Sequence, residues 1–285
     1  MVFSQPVSDI VRRRYSCRSY DRQADSEALF RSLGEFITGL TSGPFGAPNR
    51  FSMIMADGED RGIFRRLGTY GAIKDPAGFI IGASRAARMD MEDFGYRLEL
   101  IVLKATELGL GTCWLGGSFT RGSFSHRINA ARGETLPAVI SVGIPAQVRS
   151  AAQVDQLRKR AAWSELFFLN DFDTPLEKGQ AGAYAESLEM VRLAPSAKNY
   201  QPWRVIRQAE KWHFYMQRNK GYREFVVPAL TGIADLQRMD MGIAMAHFEL
   251  TAREAGLSGG WGIADPGISL PNKLTEYSVT WSENG

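Results

Sequence analysis

Cysteine and histidine are scarce here: two and three residues, respectively, in a chain of 285. Cys17 and Cys113 lie too far apart in sequence to form a metal or redox pair, and His126, His213 and His247 have no metal-type spacing. Such sparse cysteine suits a reducing compartment, so a cytoplasmic location is expected. Long apolar runs are also missing; none approaches the roughly 18–20 residues that cross a bilayer. The opening Met-Val-Phe-Ser-Gln-Pro has no apolar core for a secretory signal, and Asp9 and Asp21 interrupt the basic run Arg12, Arg13, Arg14, Arg18 and Arg22 that would mark an organellar presequence. A net charge of +3 is small for a polyanion partner, and no nucleic-acid motif accompanies it. What remains is an ordinary globular balance, 44% hydrophobic and 23% charged, in a chain long for one core and short for two independent domains.

Ser8, with Asp9 behind it, offers an N-cap for a helix ending near Tyr15, which leaves Arg14, Ser16 and Arg18 at its exit. Ser26 heads a second helix through Phe36, stopped by Gly39 and the turn at 43–46. Residues 51–55, 78–82 and 138–142 read as strands, the last two apolar on both faces and therefore buried. The longest helix is expected over 89–108, where Phe94, Leu98, Ile101, Val102 and Ala105 make one apolar stripe and Gly109 a stop.

The second half repeats this plan. Residues 239–261 lie on 92–114 without a gap, at a shift of 147: Asp93 meets Asp240, Gly95 meets Gly242, Ala105 meets Ala252 and Glu107 meets Glu254. Both copies then end in Gly-Leu-x-x-x-Trp, at Trp114 and Trp261. A repeat this long is a duplicated domain, not a solenoid unit. The polar stretch 170–180 is the expected linker, dividing the chain into 1–175 and 176–285.

Four segments could carry chemistry. Arg14-x-Ser16-x-Arg18 sets two forked cations around a hydroxyl, which suits a phosphate or a solvated helix end. Gly109, Gly111, Gly116 and Gly117 do not have dinucleotide spacing and follow a helix. They either let backbone approach a flat ligand or merely cap the helix before a buried strand. Pro195 keeps Ala194 out of helix, beside the small polar residues Ser196 and Asn199. Arg158-Lys159-Arg160 on its own reads as a solvated charge run.

Arg-Tyr-Ser-Cys-Arg-Ser-Tyr at 14–20, Leu-Gly-Leu-Gly-Thr-Cys-Trp-Leu-Gly-Gly at 108–117 and Leu-Ala-Pro-Ser-Ala-Lys-Asn-Tyr-Gln-Pro-Trp at 193–203 resemble the flavin-contacting pieces of the nitroreductase-like FMN oxidoreductases. That resemblance implies an α+β nitroreductase-like sandwich. In the family the flavin lies between two subunits; here one chain carries both sets in separate halves, which implies two tandem degenerate copies forming an intramolecular pseudo-dimer. It further implies that Arg14, Tyr15, Ser16 and Arg18 meet the FMN phosphate and ribityl chain, with Arg158 and Arg160 closing on the phosphate. Trp114, Leu115, Gly116 and Gly117 would line one side of the isoalloxazine, and Pro195, Ser196, Ala197 and Asn199 would form the opening loop. The symmetry-related set is eroded: residues 183–189 have no basic residue and 43–49 have no serine, so one FMN per chain is expected.

The implied activity is transfer of hydride from NAD(P)H through FMN to a small acceptor such as a nitroaromatic or quinone. The cofactor would carry the reaction, with no acid–base side chain and no metal required. Two alternatives stay open: a flavin-binding protein with little turnover, and a specialised flavin reaction such as reductive dehalogenation. Cys113 reads as apolar filler beneath the flavin rather than a nucleophile. The resemblance implies neither a nucleic-acid nor a membrane partner, and a monomer that acts as a pseudo-dimer, with further association open.

Overall fold

Two long helices cross at the centre of the computed structural model, which describes residues 2–21, 26–55, 73–116, 119, 121–221 and 234–283. The first half contributes α1 (Val7–Arg13), α2 (Glu27–Gly39), β1 (Asn49–Met55), β2 (Gly78–Arg85), α3 (Asp90–Glu107), β3 (Gly111–Leu115), α4 (Arg121–Arg127), β4 (Glu134–Thr135) and β5 (Val139–Gly143). Then come α5 (Ala151–Leu157), α6 (Trp163–Leu166), β6 (Phe167–Leu169), a 3-10 segment Lys178–Tyr184 and α7 (Ala185–Leu193). A 3-10 turn Ala197–Asn199, β7 (Trp203–Gln208), β8 (Lys211–Gln217), α8 (Leu236–Glu254), β9 (Gly259–Gly262) and β10 (Thr275–Glu283) complete the order.

One sheet has the order β1-β2-β5-β3, with β4 on β2; the other runs β6-β7-β8-β10-β9. All pairs are antiparallel except β6 with β7. The fold is the expected α+β pseudo-dimer, each copy a sheet packed against its long helix. β6 precedes the expected linker yet extends the second sheet, pairing in parallel with β7.

The crossing of α3 and α8 is reciprocal. A methyl group at Gly95 would overlap the carbonyl oxygen of Met239, and one at Gly242 would overlap that of Glu92. Glu92 and Met239 are themselves 147 residues apart, as are the two glycines. The contact is therefore the same patch used twice about a pseudo-two-fold axis, as in a symmetric dimer. Only glycine lets the two backbones come this close. The matched stops, Gly109 and Gly256, have φ of +82° and +77°, where a side chain would be strained.

The expected helix at Ser8 forms, but its N-cap position is Pro6 and Ser8 lies inside it. Its exposed amides are met from a distance. Glu254 accepts from Val7 N and Ser8 N, while its repeat partner Glu107 accepts from Ser4 N and Gln5 N. A carboxylate at a helix N-terminus is favourable, and here it belongs to the other half. The helix also stops at Arg13; Arg14 is already extended, at φ −63° and ψ 128°.

Alanine at Gly95 or Gly242 should cost about 2–4 kcal/mol, since overlap with backbone cannot be relieved by a rotamer change. Gly34→Ala, inside α2 with only Met53 nearby at 3.7 Å, should be neutral or stabilising. Urea unfolding of the three variants tests the contrast; equal midpoints would refute the close crossing.

Candidate functional site

Because Arg14 leaves the helix, residues 14–18 run beside β3. Ser16 bridges Thr112 in parallel register and Cys17 N donates to Thr112 O at 2.8 Å. Side chains two apart in extended chain share a face, which is why Arg14, Ser16 and Arg18 all line one cavity while Cys17 is buried against Gly111. That cavity, of 1320 Å³, lies between the halves. The second half supplies Pro195, Ser196, Ala197 and Asn199, together with Leu236, Met239, Asp240 and Ile243 from α8. Trp114, Gly116, Tyr15, Arg158 and Arg160 also line it. Of the residues named from sequence, Leu115 does not line the wall; it lies between Trp114 and Gly116 on the strand and packs in the apolar cluster of Phe79 and Phe124. Gly117 lies outside the described residues.

The wall is strongly cationic. Arg14 is buried and makes no ion pair among the described residues, and its Nε has no partner. Burial pushes its pKa down, opposed by nearby Glu99. Burial together with Arg14 lowers Arg158 to about 10, and burial with Arg14, Arg158 and Arg192 lowers Arg160 to about 9. Guanidinium remains charged at neutral pH, so these residues repel one another across the site until an anion enters. Cys113 is buried in the same wall and its thiol is pushed up by burial, which leaves it a filler.

Part of this cationic set already has work within the chain. Arg158 Nη2 donates to the carbonyls of Val11, Arg12 and Arg14, the last at 2.7 Å, and so caps the end of α1. Arg160 donates to Asn199 Oδ1 at 2.7 Å and to Leu193 O at 2.9 Å. Asn199 in turn donates Nδ2 to Lys159 O, and Gln201 Oε1 accepts from Ala161 N. Residues 159–161 thus staple the opening loop. The loop needs it: Lys198, Asn199 and Gln201 all have positive φ, of 50°, 59° and 49°. Left-handed backbone in side-chain-bearing residues is strained and persists only when its surroundings over-determine it.

Two buried carboxyls orient the remaining wall. Trp114 Nε1 donates to Glu99 Oε2 at 3.0 Å, and Glu99 Oε1 meets His247 Nε2 at 2.9 Å, with both partners fully buried. His247 Nδ1 lies 2.9 Å from Met190 O, so α8 of one copy fixes an indole of the other. Asp240 Oδ1 accepts from Ala197 N at 2.9 Å, while its Oδ2 is buried without a partner. Burial raises its pKa well above the carboxylate range. Its repeat partner Asp93 accepts from Phe45 N and Ala47 N, holding the first half's counterpart of the loop. At the position equivalent to Ile243 stands Tyr96. It is buried in the apolar cluster that Phe45 and Trp261 pack against, and its hydroxyl is donated to Glu249. Sequence reasoning named neither Asp240 nor Ile243 for the site, although the repeat alignment had marked the Asp240 position.

Arg160→Ala should loosen the loop without unfolding the protein. Losing the charged bond to Asn199 is worth about 1–3 kcal/mol locally, so amide exchange at Asn199, Tyr200 and Gln201 should quicken roughly 5- to 100-fold. Unchanged exchange there would mean that the staple is incidental.

The family model described as "Putative TM nitroreductase" matches residues 7–252. A "putative nitroreductase" from Thermotoga maritima superposes with a TM-score of 0.64 at 17% identity, covering 99% of this chain and 95% of its own. A "putative nitroreductase in complex with FMN" from Desulfovibrio desulfuricans, at 24% identity and TM-score 0.45, covers 57% of this chain and 95% of its own. No curated protein sequence matches.

Proposed function

The chain belongs to the putative TM nitroreductase family, and on that footing we propose that it is an FMN-dependent oxidoreductase with one flavin held between its two copies. The observation that carries this reading is the cavity itself. Arg14 and Arg160 each bury an Nε without a partner, neither forms an ion pair among the described residues, and burial depresses both, with repulsion from neighbouring arginines adding to it at Arg160. A phosphate monoester offsets that repulsion with charge-assisted bonds. Next to this cationic end, β3 presents Trp114 and Gly116 along the wall. Gly116 has no Cβ because one would meet Leu236 of α8 at 2.7 Å, so the two copies close tightly around the space. A volume of 1320 Å³ accommodates a mononucleotide and leaves room for a second molecule.

FMN bound here supplies the hydride-accepting and hydride-donating ring. The chain's residues then have the following roles. Arg14, Ser16 and Arg18 hold the phosphate and its neighbouring hydroxyls, with Arg160 beside them; Arg158 acts by fixing the end of α1. Ser196 and Ala197 bring the opening loop to the opposite wall, held at Asp240. Asn199 acts through Arg160 and Lys159, since both ends of its amide are already bonded. Trp114, anchored by Glu99 and His247, keeps one wall rigid. NAD(P)H as donor and a nitroaromatic or quinone as acceptor complete the reading, exchanging in the space the flavin leaves. We place the division between copies near residue 175, with β6 as the first copy's extension onto the second sheet.

The purified protein should show a flavin spectrum at one equivalent per chain and oxidise NADH or NADPH with menadione or a nitrofuran. Arg14→Ala should weaken FMN by about 1.5–3 kcal/mol, whereas Arg13→Ala, whose guanidinium donates to Gln5, should change it little. Ser196→Ala in the other half should weaken the same flavin. Two equivalents bound, or equal losses for Arg13 and Arg14, would sink the assignment; bound flavin without turnover would leave a binding protein.

A further inference from the structure

The cavity holds more positive charge than a flavin phosphate needs. Eight lysine and arginine side chains line it against one carboxyl, Asp240. The wall thus carries a formal +7 in a chain whose net charge is +3, so the rest of the protein is net negative. A phosphate monoester brings about two negative charges; Arg14, Arg18 and Arg160 are assigned to it, and Arg158 to the end of α1. Four cations remain: Arg149, Lys159, Lys198 and Lys220.

These four come from separate places around the wall. Arg149 lies over the Tyr15 ring at 5.0 Å. Lys159 and Lys198 flank Asn199, whose amide joins their two segments. Lys220 follows β8, next to Asn219, which accepts from Gln237 of α8 at 2.6 Å. No carboxylate among the described residues forms an ion pair with any of them. Like charges facing a shared space, with no acid to neutralise them, raise the local concentration of anions and select for them.

We propose that the molecule exchanging beside the flavin is an anion, drawn to the cavity by the combined field of Arg149, Lys159, Lys198 and Lys220. The inference rests on the flavin reading and adds the charge of the substrate to it. Two sources share this chemistry, a nicotinamide donor with an extra phosphate and an acceptor with an anionic substituent, and the test separates them.

In the donor arm, NADP⁺ and NAD⁺ are titrated calorimetrically into the flavin-loaded protein at about 20 and about 300 mM salt. In the acceptor arm, kcat/KM is compared for menadione and its sulfonate under the same conditions. Preference for the anionic member by roughly tenfold or more is expected in at least one arm at low salt, shrinking severalfold at high salt. The triple change Lys159→Gln, Lys198→Gln and Lys220→Gln should remove most of that preference while flavin per chain stays at one. Lys211→Gln, on the surface away from the cavity, should retain it. The arm that shows the preference assigns the charge to donor or acceptor. Ratios near one in both arms, or ratios indifferent to the triple change, would overturn the proposal. Absence of flavin from the wild-type protein would count instead against the underlying reading.

Discussion

Everything in this molecule depends on one backbone contact, the crossing of α3 and α8 at Gly95 and Gly242. Each glycine lies against a carbonyl of the other helix, so the two axes meet at a separation no side chain would permit. That contact fixes where the copies stand relative to each other. It sets Asp93 and Asp240 at matching heights, each holding the amides of its own copy's loop. It also brings His247 within bonding distance of Glu99, which orients Trp114. The cavity wall is thus assembled from pieces whose mutual positions are decided in the core.

The site itself is arranged against its own stability. Buried cations without counter-ions are costly, and left-handed backbone at three residues of one loop adds strain. The two costs are linked through Arg160, which is part of the cationic cluster and also the anchor of Asn199. An anion that draws on Arg160 therefore acts on the loop as well. Binding to the folded form alone stabilises it by mass action, so the ligand offsets what the empty arrangement costs.

Much of this plan was legible in the chain. The 147-residue register was readable because the repeated residues are those whose backbone or carboxyl roles tolerate no substitute: the crossing glycines, the loop-holding aspartates and the stop glycines. Arg14, Ser16 and Arg18 were readable by spacing, although the reason proved to be an extended segment along β3 and not a helix exit. What could not be read depends on distant partners. Ser8 looked like a cap because nothing local announces Glu254, 246 residues away. Arg158 and Asn199 line the cavity as their motifs suggested, but their bonds to the carbonyls of Arg14 and Lys159 depend on segments far away in sequence. Leu115 came with the motif, and its side chain packs in the apolar cluster of Phe79 and Phe124.

Tyr96 and Ile243 show what joining the copies permits. In a dimer of identical subunits every substitution is made twice, and a tyrosine at this position would stand in both clefts. The two-fold axis forbids improving one site at the other's expense. A single chain carries each position once. Tyr96 adds an aromatic ring and a bond to Glu249 to the core on one side, while Ile243 lines the cavity on the other. A fused chain is free to give up one of two equivalent clefts for interior packing, a trade closed to a symmetric dimer.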